Sequence, residues 1–189
     1  EEGKLTFAER GAELPMTFGH EIAGLVEDIG PEVSSVKIGQ QVLVFPWIGC
    51  GQCEACQENR ESDCTLMRII GLKQKGGFAT HCLVENEKFL VDIDGLDAAD
   101  VVPHACSGIT VYNALEKLGD LRDNEWMAIM GCGGLGLNAI SIARAMGFEN
   151  IIAVDIDDAK LEAAREMGAV KVLNNKSENS VAELQKLSG

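Results

Sequence analysis

Residues 126–136 read WMAIMGCGGLG: an apolar run from Trp126 to Met130 passes directly into Gly131-Cys132-Gly133-Gly134-Leu135-Gly136, a G-x-G-x-x-G. A short apolar run closed by glycine is the pattern of a buried strand, and Leu135 to Met146 behind it has the length of a helix. Each glycine in such a turn has a task. Gly131 permits the tight turn, Gly133 lets backbone approach a pyrophosphate, and Gly136 lets the helix pack close to the strand. Gly134 and Leu135 complete the cradle, and the helix N-terminus behind it offers free N–H groups to phosphate. The glycines alone would fit a generic strand-to-helix turn, but the next apolar run, Ile151 to Val154, ends in Asp155. An acid there accepts hydrogen bonds from ribose hydroxyls and repels a 2′-phosphate, so the pattern favours NAD over NADP.

Taken by itself, Asp155 could equally be a helix cap or a solvated acid. Asp157 and Asp158 are the better caps for a helix from Ala159. Lys160 on its first turn works against the helix dipole, which suggests that it serves another purpose, reaching the adenosine ribose. Continuing outward, Ala159 to Met167 reads as helix, Val170 to Leu173 as strand and Val181 to Leu187 as helix. The order is β-α-β-α-β-α, and right-handed crossovers give parallel strands in the order 3-2-1, one mononucleotide-binding half of a doubly wound α/β domain. Upstream, Ile109, Tyr112, Leu115 and Leu118 recur at helical spacing until Gly119.

Before Cys106 the grammar changes. Extended runs at Glu21–Ile29, Gln41–Phe45, Phe78–Val84 and Lys88–Ile93 alternate with glycine and proline, the signature of a small β-barrel or sandwich. The boundary between the halves falls at Cys106 and Ser107, giving domains 1–106 and 107–189.

Within the first half, Cys50, Cys53, Cys56 and Cys64 form C-x2-C-x2-C-x7-C. Two-residue gaps let neighbouring thiolates converge on one tetrahedral zinc, and Gly49, Gly51 and Gln52 suit the tight loop required. A disulfide cluster fits less well, since nothing signals an oxidising compartment. Four thiolates leave no open coordination position, so this zinc is structural. A second metal constellation is dispersed: His20 and Glu21 open the first extended run, and Cys106 lies at the seam of the halves. An open zinc site of two thiolates and one imidazole is a known catalytic arrangement.

A formal net charge of -14 and a pI near 4.6 oppose a phosphate-neutralising surface, so nucleic-acid binding is not expected. No apolar run reaches the roughly 18 residues of a membrane span, and the charged start is not a secretory leader, so a cytoplasmic setting is expected. The chain lacks an initiating Met and reads as a piece of a longer protein.

In combination these motifs resemble the zinc-dependent medium-chain alcohol dehydrogenases, over essentially every residue from Gly19 onward. The resemblance implies a GroES-like β-barrel catalytic domain followed by an incomplete Rossmann NAD-binding domain. Gly19-His20-Glu21 matches the family's GHE, implying that His20 binds catalytic zinc with Glu21 beneath it as an occasional ligand. Cys106 takes the place of the second thiolate ligand. Thr110 matches a position packing on the nicotinamide, and Lys160 lies five residues beyond the ribose acid, as in the family. Trp47 stands where a substrate-pocket aromatic is often found; alternatively it is a core wedge.

The family's first catalytic cysteine, with its proton relay, lies upstream of GHE. Glu1 to Phe18 contains neither Cys nor His, which implies loss by truncation and a fragment inactive alone. His81 and His104 match no ligand position, and Cys82 and Cys132 read as small buried residues. The implied reaction is hydride transfer between an alcohol and NAD, giving an aldehyde or ketone, in a homodimer or homotetramer when full length. Two other readings remain: a zinc-free oxidoreductase of the quinone reductase kind, and a non-catalytic nucleotide- or zinc-binding module.

Overall fold

The computed structural model describes residues 6, 9, 13–119, 124–176 and 180–188. The chain divides into two compact units, Glu1–Cys106 and Ser107–Gly189.

In the first unit, β1 (Ile22–Leu25), β2 (Gln41–Val44) and β5 (Leu90–Asp92) form an antiparallel sheet in the order β1-β2-β5. Leu43 pairs with Ala23 on one side and Val91 on the other. Val42, Leu43 and Val44 are all buried, although successive strand residues face opposite ways, because both faces of β2 are covered. Val44 packs with Ile48, Ile70 and Phe89 on one face, and Leu43 with Ile93 and Ala105 on the other. A second, two-stranded sheet joins β3 (Trp47–Ile48) to β4 (Arg68–Ile69) and frames the cysteine loop, which carries the short helix α1 (Glu54–Gln57). Helix α2 (Ala98–Val101), capped by the Asp97 carboxylate, leads through a 3-10 turn to Cys106.

The run Phe78–Val84 is not a strand. Its start is held by the Gly77 and Phe78 amides, which donate to Gly19 O and Phe18 O at 2.9 Å, but among the described residues no ladder continues beyond them. Phe78 and Leu83 are 81% and 87% exposed, whereas Cys82 and Val84 pack against Val44, Ile48, Ile70 and Phe89, so the run keeps a core-facing side without pairing as a strand. Glu21–Ile29 is likewise shorter as a strand than as a pattern, ending at Leu25.

The second unit is built on a parallel sheet in the order β6-β7-β8, with β6 Met127–Met130, β7 Ile151–Asp155 and β8 Lys171–Asn174. Central β7 is buried from Ile151 to Val154, as expected of a parallel strand covered on both faces. Ile151 and Ala153 meet residues of α3 (Ser107–Leu118), α4 (Gly134–Ala145) and α5 (Asp158–Glu166), notably Leu115, Ile140 and Leu161. Ile152 and Val154 face the other way, toward Leu173 and, on α6 (Ser180–Ser188), Leu184 and Leu187. Gly119, at φ +68, ends α3.

Candidate functional site

The parallel ladder of β6 and β7 places the glycine turn. Gly131 donates to Val154 O at 2.7 Å and adopts φ +90, a conformation that turns the chain off the sheet edge and suits only glycine well. Helix α4 then begins after Gly133, which has extended backbone and contributes no side-chain cap. The first-turn N–H groups of α4 therefore have no side-chain acceptor at the cap position. A Cβ at Gly136 would collide with Gly131 O, whereas at Gly133 or Gly134 it would meet nothing within 4 Å. The close approach of helix to strand and the open space above the turn are what a pyrophosphate cradle requires. Leu135 is exposed on the same turn.

Asp155 terminates β7 beside this turn and also helps to build it. Its Oδ2 accepts the Cys132 N–H at 2.7 Å, and its Oδ1 accepts those of Ile156 and Asp157 at 2.7 and 3.0 Å. The Cys132 amide, above all, holds the Asp155 carboxyl below the usual carboxylate range, with the Lys160 charge a smaller contribution. Cys132 itself is buried, and burial pushes its thiol up. Asp157 caps α5 by accepting the Ala159 N–H at 2.9 Å. Asp158 is no cap: it is the first residue of α5 and accepts a hydrogen bond from Asn174 Nδ2 on β8. Thr110 is exposed on the first turn of α3.

The Sγ atoms of Cys50, Cys53, Cys56 and Cys64 all lie within 4.8 Å of one another, with Cys50 and Cys56 at 4.0 Å. Four thiolates at about 2.3 Å from a tetrahedral zinc would stand about 3.8 Å apart, so the donor set fits that ion. Amides also serve the sulfurs, Cys53 N–H donating to Cys50 Sγ and Cys50 N–H to Cys64 Sγ, both at 3.4 Å. The amides of Gln52 and Cys53 draw the Cys50 thiol down to about 6, whereas burial lifts Cys56 to about 12. One thiolate is thus already favoured, and another requires a cation to ionise. A Cβ at Gly49 would sit 2.7 Å from Cys56 Sγ, so glycine is needed for the loop to close. The lobe is tied to the sheet by Lys88 Nζ, which bonds Glu61 at 2.5 Å and lies 4.8 Å over the Phe89 ring.

His20 follows Gly19, whose φ of +98 and carbonyl packed against Gly71 and Gly76 fix the turn into β1. The half-buried His20 ring meets Trp47 edge-on, with centroids 6.1 Å apart. Cys106 is half-buried; burial first and the Glu21 charge second raise its thiol, so that charge is felt at the sulfur. Among the described residues His20, Glu21 and Cys106 do not close into a second metal-ligand group of three. His81 is exposed, its ring bonding Thr80 Oγ1 at 3.0 Å and Glu27 at 2.5 Å, and His104 is also exposed.

Two contacts were invisible in the residue pattern: the Asp155 carboxylate on the Cys132 amide, and Asn138 Nδ2 donating to Ser107 Oγ at 2.6 Å. Both join residues more than twenty positions apart, and no spacing rule signals them.

The fold and turn define a GroES-like unit followed by the first half of a dinucleotide-binding domain. Residues 2–95 match the alcohol dehydrogenase GroES-like domain family, and residues 134–189 the zinc-binding dehydrogenase family. A NAD-dependent alcohol dehydrogenase of Sulfurisphaera tokodaii is 38% identical over 179 residues, covering 94% of this chain and 51% of that protein. An alcohol dehydrogenase of Geobacillus stearothermophilus is 36% identical over 178 residues, covering 93% and 52%. Among solved structures, the alcohol dehydrogenase of Aeropyrum pernix superposes with a TM-score of 0.85 at 28% identity, covering 94% of this chain and 53% of that one. The chain belongs to the zinc-dependent medium-chain alcohol dehydrogenase family. It spans about half the length of the curated relatives it matches.

Proposed function

We propose that the protein containing this chain is a NAD-dependent alcohol dehydrogenase that oxidises an alcohol to an aldehyde or ketone, or runs the reverse reduction. The observation that carries this reading is the uncapped glycine turn with Asp155 against it, in a chain that also holds four converged thiols. The α4 N–H groups bind the pyrophosphate, Asp155 accepts the ribose hydroxyls, and Lys160 steadies that carboxylate and ribose. Thr110 would pack against the nicotinamide. When bound, NAD would supply the acceptor for a hydride from the carbinol carbon, with the hydroxyl proton leaving to solvent.

His20 and Cys106 supply two of the protein ligands of a catalytic zinc, and a residue outside this sequence supplies the third. When bound, that ion contributes Lewis acidity, favouring negative charge on the substrate oxygen. Glu21, whose charge is felt at Cys106, orders water beside these ligands, and Trp47 shapes the substrate pocket next to His20. Cys50, Cys53, Cys56 and Cys64 hold a structural zinc. We further assign a homodimer or homotetramer to the full-length protein and a cytoplasmic location; no helix among the described residues is long and apolar enough to cross a membrane.

His20→Ala in the full-length protein tests the assignment. Turnover should fall at least about a thousandfold, as when a major transition-state interaction is removed, with NADH affinity within about twofold of wild type. Retained turnover would refute the role of His20.

A further inference from the structure

Asn138 lies on α4, two residues beyond Gly136, where the helix is held tightly against the glycine turn. Its Nδ2 donates to Ser107 Oγ at 2.6 Å, and both side chains are partly buried. Ser107 is the first residue of α3 and the chain neighbour of Cys106. The backbone of Cys106, at φ -125 and ψ -71, leaves the helical region, and its amide closes the preceding 3-10 turn through a long bond of 3.4 Å to Pro103 O. Firm anchorage is thus available to Cys106 on its C-terminal side, through Ser107. We propose that Asn138 is a positioning residue that links the cofactor-binding helix to the zinc ligand Cys106. The proposal rests on the reading of Cys106 given above.

An apolar residue at 138 would fill the same space between α3 and α4. What the amide adds is register, since a short bond between partly buried groups fixes one helix start relative to the other. A shift of the α4 N-terminus when phosphate binds is then passed to Ser107 and, through one peptide unit, to the Cys106 sulfur. Small displacements of a ligand are costly to a reaction that depends on alignment.

The test uses the full-length enzyme with cobalt(II) in the catalytic metal site, read by its thiolate-to-cobalt absorption with and without NADH. In wild type, NADH should shift that band. In Asn138→Ala the shift should be lost and kcat should fall about five- to tenfold, as for loss of one hydrogen bond, while the NADH Kd stays within about twofold. Ser107→Ala should reproduce these effects, and the double variant should add little to either, because the two side chains act as one unit. Asn138→Ser, less disruptive to packing, should give an intermediate shift.

A lowered Tm in these variants with an unchanged cobalt response and unchanged kcat would overturn the positioning role and leave the proposed function standing. A wild-type protein that takes up no metal beyond the four-cysteine site would overturn both.

Discussion

An alanine at Gly136 would drive its Cβ into the Gly131 carbonyl, whereas an alanine at Gly133 would meet nothing in the protein. The first substitution should therefore lower stability by about 1–3 kcal/mol, the usual cost of overpacking, visible as a shifted denaturant midpoint. The second should leave the midpoint unchanged and weaken NADH at least about tenfold, about 1.4 kcal/mol, because the methyl occupies the space assigned to pyrophosphate. Equal losses of NADH affinity and stability in both variants would contradict the cradle. Asp155 carries a further prediction. Asp155→Asn removes a charge that accepts the Cys132 amide and, as proposed, the ribose, so NADH should weaken by about ten- to a hundredfold, within the range for hydrogen bonds to charged groups. NADP should weaken less than NADH. Because folding lowers the Asp155 pKa, its stabilising contribution is complete above the unfolded value of about 3.9. That contribution is lost as pH falls through the lower folded value. Asp155→Asn should therefore flatten the acid limb of the stability profile below about pH 4. An unchanged limb would show that the carboxylate is not held by the turn.

Elements differed in how much of themselves the residue pattern disclosed. The parallel strands and their helices were legible to within a residue or two, because burial on both faces gives β7 an uninterrupted apolar run that ends in an acid. The four-cysteine loop was legible because its geometry is local. Phe78–Val84 misled because alternation reports a potential strand but not whether a partner is present, and its ladder ends at Phe78. Asn138–Ser107 and Asp155–Cys132 were hidden because they depend on how elements pack. The cysteine lobe also makes its own prediction. Without a cation it gathers four thiols around a buried Cys56, so chelation or Cys56→Ser should lower Tm by roughly 5 °C or more. Hydrogen exchange should rise across residues 49–64. A loop equally protected without metal would show that packing alone holds it.

For the whole molecule, the combination of units matters more than either unit alone. The glycine turn is shared by many nucleotide-binding folds, and a four-thiolate lobe serves many purposes, so neither selects an activity. The lobe, His20 next to Trp47, Cys106 within reach of the Glu21 charge, and the Asp155-braced turn occur in one chain whose two parts match two families of the same enzyme class. The lobe's closed coordination also divides the labour, leaving substrate chemistry, in the proposed function, to His20 and Cys106. With a net charge of -14, the chain has little general attraction for phosphate, which leaves the backbone of the α4 N-terminus as the proposed source of affinity for the pyrophosphate. The most direct measurement is metal content per chain of the full-length protein, taken for wild type and His20→Ala. Wild type should hold two zinc ions and the variant one; a single zinc in both would confine metal to the lobe and contradict the proposed catalytic site.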